Sequence, residues 1–138
     1  MPSDGQPRPG LIGEAETIVD RAQLASSYGS GLIDVFATPA MIALMEQAAQ
    51  ASVEHVLAPG ATSVGTHVEV RHLAATPLGM HVRARAELIE VDGRRLLFRV
   101  SAADAVETIG QGTHERAIVD SARLLARASA KSATPQQG

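Results

Sequence analysis

The sequence predicts an α+β domain in which a curved antiparallel sheet of about five strands wraps one long helix. Three observations predict it. A run of strong helix formers lies between Thr38-Pro39 and Pro59-Gly60, free of Gly and Pro inside. The residues after that run alternate apolar and polar in strand-length blocks separated by tight-turn sequences. Aromatic residues are confined to Tyr28, Phe36 and Phe98. The core is therefore built from aliphatic and small side chains, and its elements can approach closely.

Each element follows in order. Residues 1–13 are rich in Pro and Gly and are expected to be a flexible N-terminal segment, ahead of a domain over 14–128. Residues 15–25 alternate and predict a strand. Residues 26–34, with clustered Ser and Gly, predict a flexible loop. Thr38 has the chemistry of an N-cap and Pro39 that of a first helical position. Met41, Leu44, Met45, Ala48, Ser52, Val53 and Val56 then recur at helical spacing, and Pro59-Gly60 stops the helix. Residues 62–73 alternate, with Thr66, Val68, Val70 and His72 on one face. Thr76-Pro77-Leu78-Gly79 reads as a turn, and residues 80–91 alternate again. Asp92-Gly93 is a strong hairpin signal, leading into a strand through Leu96, Phe98 and Val100. A last strand is expected over 106–119, where Gly110 and Gly112 mark a bulge or a close backbone approach. The Ala/Ser-rich end, from 129 to 138, reads as a flexible tail.

Composition excludes several functions. The chain has 138 residues, enough for one domain with a real core. Its net charge of -3 gives no support for a nucleic-acid binder. It has no cysteine, which removes disulfide scaffolds, zinc ribbons and thiol nucleophiles. There is no apolar leader at the N-terminus and no stretch that could cross a bilayer. A cytoplasmic protein without a membrane partner is the expectation.

Chemistry-bearing residues stand out against this background. Glu46 interrupts the apolar helix between Met45 and Ala48-Ala49. There it is expected to be partly desolvated, a setting that suits a nucleophile or general base. The plainer alternative is a carboxylate at the edge of the stripe, facing water. Thr38 lies eight residues earlier, about 12 Å along the axis. It is either an N-cap alone or a hydroxyl beside helix amides that favour developing negative charge. His72 shares a face with Val68 and Val70, where a satisfied core histidine is the usual case; a nearby carboxylate would change that. Gly65 could expose an amide to an oxyanion or simply break a strand. His114 and Arg116 share a strand face, and Arg116 could fork onto a carboxylate or phosphate, or form a surface ion pair. Arg94 and Arg95, with Arg71, Arg83 and Arg85, are candidates for a phosphate-bearing ligand such as coenzyme A, although a solvated sheet face explains them equally. There is no nucleophile elbow, Walker loop, dinucleotide fingerprint or zinc-helix motif. The five His residues show no metal spacing.

Several blocks together resemble a known family. Val35-Phe36-Ala37-Thr38 through Leu44-Met45-Glu46, Gly65-Thr66, His72-Leu73-Ala74-Ala75-Thr76-Pro77 and Gly79 are similar to the fluoroacetyl-coenzyme A thioesterases, which are hot-dog-fold hydrolases. So are Glu90-Val91-Asp92-Gly93-Arg94-Arg95-Leu96, Arg99-Val100-Ser101-Ala102, Ile109-Gly110 and Gly112-Thr113-His114-Glu115-Arg116-Ala117. The likeness spans roughly 35–119. It implies a hot-dog fold, a homodimer with sites near the subunit interface, and hydrolysis of a short acyl-CoA. No cofactor is implied, coenzyme A being part of the substrate. It assigns catalysis to Thr38, Glu46 and His72, and substrate binding to Gly65, Arg116, Phe36 and Leu32. The carboxylate would act on the thioester carbonyl, His72 would assist proton transfer, and Thr38 with nearby amides would hold the oxyanion. The family carries two phenylalanines in the lid before the helix; Gly29 and Leu32 stand there instead. That departure speaks against discrimination for fluorine and for a different small acyl group. Two other classes remain open at this point: a protein that binds acyl-CoA without turnover, and an enoyl-CoA hydratase or dehydratase on the same fold.

Overall fold

The computed structural model describes residues 5–133 and Pro135. Five strands, β1 (Ile12–Ile18), β2 (Ala61–His72), β3 (His81–Asp92), β4 (Arg95–Asp104) and β5 (Thr108–Asp120), form one antiparallel sheet in the order β1-β3-β4-β5-β2. The long helix α2 (Thr38–Val53) packs on its inner face, as the alternation predicted. A one-turn helix α1 (Ala25–Tyr28) precedes it, and α3 (Ser121–Ala130) follows the last strand.

The core forms where the two periodicities meet. Val82, Ala84, Ala86 and Leu88 of β3 and Leu96, Phe98, Val100 and Ala102 of β4 all point inward and are buried. Met41, Leu44, Met45, Ala48, Ala49 and Val53 present the buried stripe of α2 to them. Small residues set the approach distance. A Cβ on Gly13 would strike the Ala48 carbonyl oxygen and lie 2.7 Å from the Ser52 amide nitrogen, so β1 and α2 touch backbone to backbone. Gly110 and Gly112 are also close approaches, to the Met41 side chain and to the Glu69 backbone respectively.

Six local expectations need correction. The first strand runs Ile12–Ile18 rather than 15–25; Asp20 then caps a 3-10 turn, Arg21–Gln23, through a reciprocal pair of hydrogen bonds with Gln23. The expected 26–34 loop begins with α1, whose end is closed by Gly29 at φ 71. Thr38 is not the N-cap. Ala37 takes that position without a side-chain cap, and Thr38 is the first helical residue, its hydroxyl engaged elsewhere. The helix ends at Val53 and tightens into a 3-10 turn, Glu54–Val56, before Pro59. Alternation along β2 is interrupted by a register shift between Gly65 and His67. At the C-terminus, Asp120 caps α3, which passes position 128 and ends at Ala130. The expected N-terminal segment and tail fall partly outside the described residues.

Candidate active site

The segment entering α2 is pinned at several points. Ala25 N–H donates to the Val35 carbonyl, Phe36 N–H to Thr76 and Ala37 N–H to Gln23, each at 2.8 or 2.9 Å. Thr76 is itself buried and donates to Asp104 at 2.8 Å. Burial alone would raise the Asp104 carboxyl, but the Val106 and Glu107 amides and Thr76 outweigh it and hold the group below its ordinary range. This framework carries Phe36 and Thr38 to the wall of an open cleft of about 370 Å³, shared with Val35, His72, Leu73 and Ala74.

On that wall Thr38 Oγ1 and His72 Nδ1 lie 2.7 Å apart. Which of the two donates is set by the His72 tautomer: with Nδ1–H donating to Thr38 Oγ1, the Thr38 hydroxyl keeps its own hydrogen for a developing oxyanion. Burial pushes the His72 imidazole below its usual value of 6.5, with the Ala74 backbone pulling partly the other way. Its Nε2 is buried without a hydrogen-bond partner among the described residues. Desolvation thus favours the neutral imidazole, the form able to accept a proton.

A second cluster lies further along α2. The Glu46 side chain is 40% exposed and stands 3.8 Å from Arg116 Nη1. It is therefore neither fully desolvated nor free in water. Gly65 lies against it: a Cβ there would come within 2.7 Å of Glu46 Oε2. Arg116 is buried and held on several sides. Its Nε donates to Ser63 Oγ at 2.8 Å, and its Nη2 to Gln50 Oε1 and the Ser63 carbonyl, both at 2.9 Å. His114 completes the cage. Its Nδ1–H must donate to the His67 carbonyl, 2.8 Å away, which leaves Nε2 as an acceptor for Arg116 Nη1 at 3.2 Å. Burial lowers the pKa of His114; the His67 carbonyl opposes that, and the Arg116 charge adds to it. Desolvation lowers that of Arg116 as well, against the attraction of Glu46 and Glu54.

One chain brings these residues together in two groups. Thr38, His72 and Phe36 share the cleft; Glu46, Gly65 and Arg116 form the second cluster. Among the described residues no hydrogen bond or ion pair joins Glu46 to Thr38 or His72. Leu32 joins neither group and is 98% exposed beyond the cleft. Sequence reasoning put His114 and Arg116 on one face but missed Gln50 and Ser63. Gln50 was within reach, one helical turn after Glu46; Ser63 depends on the β2–β5 register, which no local pattern reveals. No group of three or more metal-ligating side chains occurs among the described residues.

The family model described as "Fluoroacetyl-CoA-specific thioesterase" matches residues 19–122. The chain belongs to this family. It is 52% identical over 86 residues to a fluoroacetyl-CoA thioesterase of Streptantibioticus cattleyicolor, a match covering 62% of each chain. A solved structure of the fluoroacetyl-CoA thioesterase FlK superposes with a TM-score of 0.86 at 39% identity, covering 94% of this chain and 99% of that one. A hot-dog-like protein from Thermanaerovibrio acidaminovorans superposes at 0.81 with 25% identity, covering 94% of both. The fold is the hot-dog fold, and no helix is long and apolar enough to cross a membrane.

Proposed function

We propose that this protein is a cytoplasmic homodimeric thioesterase that hydrolyses short acyl-CoA thioesters through Thr38, Glu46 and His72. Family membership supports the thioester hydrolase reading. The observation that carries the site is the 2.7 Å pair of Thr38 and His72 on the wall of an open cleft. Glu46 opens the reaction at the thioester carbonyl. Thr38 stabilises the oxyanion with the N-terminal amides of α2. Water supplies the hydroxyl that ends on the acyl group, and His72 relays the proton it gives up to the departing thiolate. Arg116 and Gly65 seat the Glu46 carboxylate. The lid carries Gly29 and an outward Leu32 where aromatic rings would cover the acyl group, so a short acyl chain without fluorine is the proposed substrate.

The homodimer rests on β2. It is an edge strand of 12 residues with Val68 facing solvent, and such an edge is a template for another strand. Antiparallel pairing of two copies would set the His72 end of one β2 beside the Ser63–Gly65 end of the other. The Thr38–His72 pair of one chain then faces the Glu46–Arg116 cluster of its partner, closing the gap left within each chain.

Thiol release from a panel of short acyl-CoAs tests the activity. Glu46→Gln keeps the shape and removes the charge, and a fall in kcat of at least roughly 100-fold is expected. Equal background rates for wild type and Glu46→Gln on every member would sink the proposal.

A further inference from the structure

Of the arginines that are candidates for a phosphate ligand, three are paired once folded, and Arg71, without a salt bridge among the described residues, lies with Glu69 at a separate cleft. Arg83 meets Glu14 and Glu16, Arg85 meets Glu87, and Arg95 meets Glu115. These are a neutralised sheet surface. Arg94 is different. It sits in the two-residue turn between Asp92 and Arg95, and no carboxylate pairs with it among the described residues. Instead it shares a cleft of about 190 Å³ with Arg123 and Arg127 of α3, which are likewise without a salt bridge among the described residues. Arg123, Arg127 and Lys131 follow one another at four-residue spacing, one row of the helix on which like charges repel. The cleft's one carboxylate, Asp120, is engaged as the N-cap, accepting from the Arg123 amide at 2.9 Å. Val119 and Leu124 give the cleft apolar lining, and it shares Arg94, Val119 and Asp120 with a neighbouring trough of about 500 Å³. Cations gathered without partners in a chain of net charge -3 are explained by an anion they have yet to meet.

We propose that Arg94, Arg123 and Arg127 form a docking site for the phosphates of a 3′-phosphorylated adenine nucleotide, the half of a coenzyme A thioester remote from its sulfur. Guanidinium forks suit phosphate oxygens, and they also stack on a flat base beside an apolar lining. Position agrees. Ala61 pairs with Asp120 and Gly65 with Arg116, so α3 starts four residues along the sheet from the Glu46 cluster. That is about 13 Å at strand rise, within the span of an extended pantetheine arm. The inference rests on the acyl-CoA reading above and adds where the nucleotide end is held.

Calorimetric titration of adenosine 3′,5′-bisphosphate into the full-length protein tests the site without turnover. Wild type should bind saturably and more weakly as salt is raised. The double variant Arg123→Glu/Arg127→Glu, and separately Arg94→Glu on the hairpin, should weaken binding by roughly tenfold or more. Arg99→Glu, the same charge change on an arginine that lies 3.9 Å from Glu87, should bind as wild type does. In hydrolysis, the ratio of KM for acyl-pantetheine to KM for acyl-CoA should collapse toward one in the first two variants. No binding by wild type, or equal binding by Arg99→Glu and the α3 variant with folding verified by circular dichroism, overturns the site. Nucleotide binding that depends on these arginines, in a protein that hydrolyses no thioester, would leave the site standing and remove the hydrolase reading instead.

Discussion

Replacing Gly65 by Ala separates a site effect from a fold effect. Gly65 has no positive φ, so its backbone accepts alanine and the added methyl is the only change. That methyl would lie 2.7 Å from Glu46 Oε2 and 3.2 Å from the buried His114 Cε1; ordinary contact begins near 3.4 Å, so the carboxylate must retreat by about 0.7 Å and the ring by about 0.2 Å. Retreat is easy, because the carboxylate is the far end of a flexible, 40% exposed side chain. Distorting its rotamer costs about 0.5–1.5 kcal/mol. Displacing a reacting group by nearly an ångström, however, costs about 10–100-fold in rate. Gly65→Ala should therefore lose that factor in kcat/KM while its melting temperature falls by only a few degrees, at roughly 2–8 °C per kcal/mol. Gly13→Ala is the contrast. Its methyl meets the backbone of Ala48 and Ser52, which cannot turn aside. Overpacking of about 1–3 kcal/mol should lower the melting temperature and leave turnover per folded molecule intact. Thermal melts and thioester assays on both variants decide the matter. Wild-type kcat/KM in Gly65→Ala, or activity lost only in step with stability as in Gly13→Ala, would refute the placement of Glu46 against Gly65.

Burial lowers the His72 pKa below 6.5, so its protonated, inactive form accumulates only under more acid conditions. The acid limb of kcat/KM should have its midpoint below pH 6.5, and a limb above that value assigned to His72 by its loss in His72→Ala would contradict the burial argument. His114→Phe keeps the ring over Phe98 but removes the acceptor for Arg116, so kcat should fall about tenfold with the acid limb unmoved, and His114→Gln should recover part of it. Equal activity of His114→Phe and wild type would show that His114 does not position Arg116. Mixing Glu46→Gln with His72→Ala should restore about a quarter of wild-type activity, since half of randomly assorted dimers are mixed and each holds one intact site of two. No recovery after subunit exchange is verified would place the whole site within one chain.

What the sequence made legible was whatever depends on local period. The alternation of β3 and β4 and the stripe of α2 each follow from a repeat of two or 3.6 residues, so their buried residues could be named in advance. What was missed depends on partners distant in the chain. Gly13 looked like part of a flexible leader, whereas it is the residue that lets β1 touch α2. Ser26 and Ser27 are poor helix formers; α1 exists because Ala25 is tied to Val35 and the Ser26 hydroxyl donates to Asp34. The Ala/Ser run at the end read as a tail, but Asp120 supplies a cap that starts α3. Thr38 shows the same limit at the site. Its N-cap chemistry was real, yet His72, brought in by β2, competes for the hydroxyl and takes it.

The spacing between Thr38 and Glu46 carries the remaining argument. Eight residues of α-helix put about 12 Å along the axis between two groups that, in the proposed mechanism, act on one carbonyl. Among the described residues no hydrogen bond or ion pair joins the two, and His72 sits with Thr38. A second copy removes the difficulty, because antiparallel pairing through β2 exchanges the two ends. On that geometry the exposed edge of β2 is not an aggregation hazard left unguarded. In the proposed dimer it would be the seam along which each chain obtains the half of the site that its own helix holds apart, so disrupting the seam should abolish turnover in chains that still fold.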